Sequence, residues 1–327
     1  MTAKKLIGSL SIIIASIHST AALSSQYSPL PSRFSSPIEG LFNIPSFSET
    51  ELQDKSGKFG IRVEAISCAV TMTNAQEAVR FDGETWRATP LWSYKISDEW
   101  QASFELPIIH HSSGFLDNSI DKFHETFQLR DGSRDDFDRN ELVYGYSNQG
   151  NTDYLLTSSE TDIGDLRVKL SHSLPFEAPL ALHVHLKAPT GDEKSLMSSG
   201  SWDAGLSLSY LKKDLLSIPS LAASLEFGEH YLSNSDQIRN QNNWLTTLNG
   251  GLFWNVIKPV TLKGQLEART ALADSELEPI GGEALQITLG LSWQTSSESV
   301  WDFALVEDIK TDSTSDVTFL AQWSTEY

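Results

Sequence analysis

The chain has 327 residues, with 24 Lys+Arg against 43 Asp+Glu, a formal charge of -19 and a single cysteine, Cys68. Such acidity argues against a nucleic-acid partner, whose phosphates call for a basic surface, and one cysteine excludes an intramolecular disulfide. The slightly negative mean hydropathy does not exclude a membrane, because a barrel strand is apolar on one face only.

The N-terminus carries Lys4 and Lys5, an apolar run from Leu6 to Ile17, and then Ser19-Thr20-Ala21-Ala22. A charged start, a short apolar stretch and a small-x-small cut predict a secretory signal peptide over residues 1–22. The run is too short to span a bilayer, and no cysteine lies near the cut to carry a lipid. Residues 23–57 ("LSSQYSPLPSRFSSPIEG…") are rich in Pro and Ser and read as a periplasmic lead-in or plug segment. No later segment approaches the ~18 consecutive apolar residues that a membrane helix requires.

From residue 58 onward the chain alternates with period two, which predicts strands with one apolar and one polar face. These fall near 58–72, 84–96, 99–109, 163–173, 179–188, 201–211, 220–231, 243–254, 259–271, 283–294, 300–309 and 316–327, the first being the least regular. In the third, Trp100, Ala102, Phe104, Leu106 and Ile108 oppose Gln101, Ser103 and Glu105. In the ninth, Val260, Leu262, Gly264, Leu266 and Ala268 oppose Thr261, Lys263, Gln265, Glu267 and Arg269. The connections alternate as well. Those at 97–98, 174–179, 212–219, 255–259 and 295–299 are mostly short, and the others are mostly longer, the longest running from about 110 to 162. Short turns at one end and long loops at the other predict an all-β fold. It is a transmembrane, antiparallel, up-and-down β-barrel of about twelve strands over 58–327, with short periplasmic turns and longer extracellular loops.

The expected location is the outer membrane of a Gram-negative bacterium. The final stripe of Val317, Phe319, Ala321, Trp323, Thr325 and Tyr327 is expected to pair with the first strand and leave no open edge. A terminal aromatic stripe also resembles the signal by which barrels are recognised for assembly. The expected partners are therefore the barrel assembly machinery, through the strand ending at Tyr327, with outer-membrane lipid and lipopolysaccharide around the barrel. Two aromatic belts fit two membrane interfaces. Trp100, Trp254, Trp293, Trp301 and Trp323, with Tyr94, Tyr210 and Tyr327, lie toward the short turns, and Trp92 lies nearer that end of its strand. Trp86, Trp202, Trp244 and Tyr231 lie at the long-loop ends. The competing fold is a soluble sandwich with core tryptophans, whose aromatics would sit mid-strand.

Three stretches carry a family resemblance: "DKFHETFQLRDGSRDDFDRN" (121–140), "TDIGDLRVKLSHSL" (161–174) and "LKAPTGDEKSLMSSGSWDAGLSLSY" (186–210), preceded by "SPLPSR". Together they resemble a family of gammaproteobacterial outer-membrane-like proteins known as a domain of unknown function. The likeness spans most of the mature chain. It implies a location and a fold, and no catalytic residues to carry over. Similar loops occur in other barrels, including uptake channels for hydrophobic compounds.

Three places could hold chemistry. In "HHSSG" (110–114), His110 and Ser112 continue the outward stripe of the third strand, as in outer-membrane phospholipases whose His activates a Ser nucleophile. The third member would be Asn118, His124 or Glu125, none at a persuasive position, so polar residues at a strand exit are the plainer reading. In the long loop, Ile120, Phe123 and Phe127 share a helical face, with Asn118 or Ser119 as a cap; this helix could constrict the barrel mouth or lie on its rim. "DGSRDDFD" (131–138) lacks the glycine and glutamate of a calcium loop. Finally, parity points Arg87, Glu105, Asp165, Arg167, Lys169, His183, His185, Lys187, Glu226, Lys263, Glu267, Arg269 and Asp302 inward. They would form a salt-bridged filling or line a narrow pore. Lys263 is accordingly expected to tolerate neutralisation well, and two histidines do not make a metal site.

The expected function is a narrow passive channel or binding barrel for small solutes, without cofactor or metal. The alternatives are a lipid hydrolase using His110 and Ser112, and a closed structural envelope barrel.

Overall fold

The structure is a computed structural model and describes residues 24–42, 44–116, 122, 126 and 140–327. The signal peptide expected at 1–22, the helical face of Ile120, Phe123 and Phe127, the loop 131–138, and Asn118, His124 and Glu125 lie outside the described residues.

The described strands are β1 (Gly57–Thr73), β2 (Glu77–Lys95), β3 (Trp100–Glu105), β4 (Ile108–Ser112), β5 (Val143–Asn148), β6 (Asn151–Leu156), β7 (Glu160–Ile163) and β8 (Leu166–Ser173). They continue as β9 (Leu180–Ala188), β10 (Asp203–Lys212), β11 (Leu221–Leu232), β12 (Trp244–Ile257), β13 (Val260–Arg269), β14 (Ala284–Gln294), β15 (Ser299–Asp308) and β16 (Val317–Glu326). All pair antiparallel with their neighbours. β3 with β4, and β7 with β8, each make one broken stave, so the wall has twelve staves. β16 closes it on β1 in a register running from Lys58 opposite Glu326 to Ser67 opposite Val317. The Gly57 and Tyr327 backbones exchange bonds of 3.1 and 2.9 Å. Each of the twelve staves is thereby paired on both sides over at least part of its length, which closes the wall.

The predicted alternation is the wall's construction principle. On β13, Leu262 and Leu266 are exposed on the outside while Lys263, Gln265, Glu267 and Arg269 are buried inside. The outer band is apolar along its whole circumference, and its tryptophans and tyrosines sit near the rims. Trp92 donates to the Tyr327 hydroxyl at 2.9 Å, Trp100 stacks on His172 at 4.2 Å, and Tyr231 meets Trp244 at the opposite rim.

The structure departs from the sequence reading in three places. β2 starts at Glu77, not near 84, and β1 and β2, at 17 and 19 residues, rise above the rim as a tall hairpin. The stretch read as a loop from 110 to 162 contains the hairpin β5–β6, which pairs with that extension through Glu77–Asp82. Its strands have six residues each, short of the ~9–11 that a membrane-spanning strand needs. It is held instead by burying Tyr144, Tyr146 and Leu156 against Val79 and Phe81. Finally, the third and fourth predicted strands are each interrupted. Pro107 has no N–H to give the ladder; its carbonyl accepts from Gly164 N–H at 2.8 Å across the matching break.

The main hydrophobic core lies at the long-loop end, above the polar lumen. There Cys68, Val70, Phe81, Tyr144 and Tyr146 join loop residues Leu196, Ile238, Leu272 and Ile280. Cys68, the single cysteine of the sequence, is buried there.

Candidate functional site

The lumen is occupied by the chain's own N-terminal segment. Tyr27 starts at the short-turn rim, where its hydroxyl donates to Pro219 O. The segment then climbs beside β13 in an extended conformation, two residues for two. Lys263 Nζ donates to Ser28 O at 2.5 Å. Gln265 accepts from Leu30 N–H and donates to Leu30 O. Ser32 donates to both Glu267 oxygens at 3.0 and 2.9 Å. The side chains of β13 thus supply the partners that a neighbouring backbone would otherwise provide, since an unpaired buried N–H or C=O is costly.

At the long-loop end the segment turns through a short 3-10 helix, Glu39–Leu41. Ser36 and Glu39 cap it reciprocally, Ser36 N–H donating to Glu39 Oε2 and Glu39 N–H to Ser36 Oγ. Glu39 meets Arg269 at 2.6 Å, both side chains fully buried, and accepts from Thr314. Phe34, Ile38, Leu41, Phe42 and Ile44 pack into the hydrophobic core at this end, each worth roughly 1.5–3 kcal/mol of burial. The chain then descends. Ser48 N–H donates to Glu226 at 3.2 Å, Lys58 pairs with Glu49 at 2.8 Å, and Gln53 N–H donates to Gln101 near the starting rim. Residues 28–53, within the stretch read as a periplasmic lead-in or plug, thus run inside the wall and bond to its inner-face side chains. The physical reason is the dense set of charged and amide side chains inside the wall, which need partners.

The inward-pointing candidates fall into distinct groups around this plug. Arg87, Glu105 and Arg167 belong to a cluster with Arg33, Arg62 and Glu64. Arg62 and Arg33 reach Glu105 at 2.8 and 3.0 Å, Arg87 reaches Glu64 at 3.4 Å, and Arg167 donates to Gly40 O and Phe42 O. Lys187 sits between Asp165 and Asp203 at 3.0 and 3.1 Å and also holds Leu41 O. Glu226 and Glu267 are buried without an ion pair among the described residues; Ser207 and Asn249 serve the first, Gln286 and Thr288 the second. Lys263 lies 3.8 Å from Asp302. Lys169 makes no hydrogen bond or ion pair among the described residues.

His183 and His185 bond to Ser171, Ser209 and Ser207. They are joined by His230, whose ring centroid is 5.8 Å from that of His185. The described residues hold no metal-binding group of three or more His, Cys, Asp or Glu side chains. Beyond the rims, burial and the neighbouring Asp214 and Glu51 raise the Tyr27 phenol. Burial and Glu278 raise the Asp312 carboxyl, in the loop that covers the plug tip.

His110 and Ser112 do not form a dyad. His110 Nδ1 lies 2.7 Å from Thr161 Oγ1, and no hydrogen bond among the described residues joins it to Ser112. The neighbouring His111 is the buried one, bonded to Thr85 and to Leu196 O.

Sequence reasoning missed Arg62, Glu64 and His230, although the parity that found Glu226 also points them inward. It also missed Arg33, Glu39 and Glu49, which sit in a segment with no period to read.

A closed twelve-stave antiparallel barrel with an apolar outer band and a charged interior places the fold among transmembrane-type β-barrels. The chain belongs to the family described as a protein of unknown function, DUF3187, whose model matches residues 6–327. Among solved structures it is similar to the COG4313 outer membrane channel from Pseudomonas putida F1, at 14% identity and a TM-score of 0.57, covering 85% of this chain and 97% of that one. It is also similar to the NanC porin, at 7% identity and a TM-score of 0.47, covering 82% and 100%. No curated protein matches.

Proposed function

We propose that this barrel resides in the outer membrane of a Gram-negative bacterium, exported by a cleaved signal peptide, and is a passive channel for small solutes that its N-terminal segment closes at rest. The short turns then face the periplasm, the long loops face outward, and the plug enters from the periplasmic side. Lipid and lipopolysaccharide surround the outer band, and the strand ending at Tyr327 addresses the assembly machinery. The observation that carries the reading is how the plug is held. Residues 28–53 bond to the wall mainly through inner-face side chains, while the wall's own ladder closes without them. Withdrawal of the plug would leave the barrel intact, as a gate requires. The channel named in the similar Pseudomonas putida structure supports this reading.

The location is tested by fractionation. The mature protein should partition with outer membranes and migrate differently on mild detergent gels before and after heating. Recovery as a soluble periplasmic monomer would refute it. The gate is tested in planar bilayers: the parent should conduct rarely, and a variant lacking residues 28–50 should give stable, larger steps. Absence of conductance from both would favour a closed structural barrel instead. That second reading draws on the same plug, with the apolar cap over its tip.

A further inference from the structure

We infer that the cavity between the plug and the β1–β3–β8 wall is a binding site for a small oxyanion, a carboxylate or a phosphate, with Lys169 and Arg167 as its charged ligands. The cavity has a volume of about 100 Å³. Since one water takes roughly 30 Å³, it suits a few waters or one small oxyanion.

The charge around it does not balance. Six cationic side chains line the cavity against three carboxylates. Lys58 is matched by Glu49 at 2.8 Å, and Lys263 by Asp302 at 3.8 Å. Arg62 and Arg33 share the third carboxylate, Glu105. Arg167 and Lys169 are left over. They stand two residues apart on β8, on the same inner face. Among the described residues Arg167 donates only to the carbonyls of Gly40 and Phe42, and its buried Nε has no hydrogen-bond partner there. The buried Nε of Arg33 makes no hydrogen bond among the described residues and lies 4.0 Å from the Glu64 carboxylate. Two carboxylates face Lys169: Glu226 is already held by Ser48, Ser207 and Asn249, and Glu49 by Lys58.

Arg167 and Lys169 are partly buried, and a cation partly withdrawn from bulk water is stabilised by a counter-charge with hydrogen-bond acceptors. Guanidinium and ammonium donors converging on one small space match the oxygens of a carboxylate or phosphate. The plug forms one side of the cavity through Ser28, Pro29, Pro31, Arg33, Ser46 and Phe47. An anion bound there touches both gate and wall.

This assignment deepens the channel reading and rests on it only for passage of the solute. The test is calorimetric titration of the refolded, full-length mature protein at low ionic strength. Sodium phosphate and sodium succinate are separate probes, with sodium chloride as the control. At least one oxyanion should bind, and Lys169→Gln should weaken it by about tenfold or more, as loss of a charge-assisted bond does. Lys169→Arg should retain binding, and Arg167→Gln, the second variant, should weaken it similarly. Lys213→Gln at the rim, whose partner is Glu51, should bind like the parent. Gel migration before and after heating confirms that each variant is folded. The inference is overturned if neither oxyanion binds the parent, if Lys169→Gln binds as the parent does, or if Lys169→Arg loses binding too. Conductance of the same preparation separates the two readings. If the parent binds the oxyanion while neither it nor the variant lacking residues 28–50 conducts, the channel reading alone fails; if that variant conducts and the parent binds neither probe, this site alone fails.

Discussion

Replacing Arg269 with Met is expected to open the barrel. Arg269 is the ion-pair partner of Glu39 at the plug tip, where Thr314, Lys187 and Arg167 add hydrogen bonds. It reaches Glu39 at 2.6 Å with both side chains fully buried, and its other donors hold the Thr270, Gly282 and Ser313 carbonyls. Removing one partner of a buried ion pair leaves the other charge stranded, at a cost of about 3–5 kcal/mol. The wall can escape that cost because its ladder does not depend on Glu39: the tip need only leave its seat and carry the carboxylate to water. The expected readout is a marked increase in open time in planar bilayers, with the barrel still heat-modifiable. The double variant Glu39→Gln/Arg269→Met should close again in part, since an uncharged side chain at 39 can still bond Ser36 N–H and Thr314. Single-channel records of Arg269→Met that match the parent would remove the tie from the gating account.

The second large effect lies on the outer face of the same strand. Leu266→Arg should destabilise the folded barrel in bilayers by roughly 2–4 kcal/mol, the depth-dependent cost of a cation on the lipid face near the midplane. Leu266 is 50% exposed and Lys263 only 4%, so the register of β13 is set by which face meets lipid. Sequence reasoning expected neutralising Lys263 to cost much less than a cation on the outer face, because a watery lumen or nearby partners would tolerate it. In the structure its ammonium donates to Ser28 O at 2.5 Å and lies 3.8 Å from Asp302. Lys263→Met should therefore cost on the order of 1–3 kcal/mol, the penalty of a buried acceptor losing its donor, and the loss should show as a looser plug. Unfolding titrations in lipid that rank Lys263→Met above Leu266→Arg would mean that the inner and outer faces have been exchanged.

What the sequence by itself determined is the wall. Period-two alternation is local, and each strand declares its two faces without knowledge of its neighbours. Twelve staves, the order of short turns and long loops, the aromatic rims and the inward set from Arg87 to Arg269 could all be read from it. So could Arg62, Glu64 and His230, had parity been applied to every strand. Only the tertiary structure decided what the inward set is for. Residues 24–56 have no period, because an extended segment bonded to side chains on all sides needs none. Glu39 and Arg269 are 230 positions apart, and nothing local to either forecasts their meeting. The β5–β6 hairpin was illegible for a related reason: its six-residue strands gain their stability from Phe81 and Val79 on β2, not from a lipid-facing stripe. The same holds for Lys169. Its inward direction is a property of the strand, but that it makes no ion pair among the described residues emerges only in the tertiary structure.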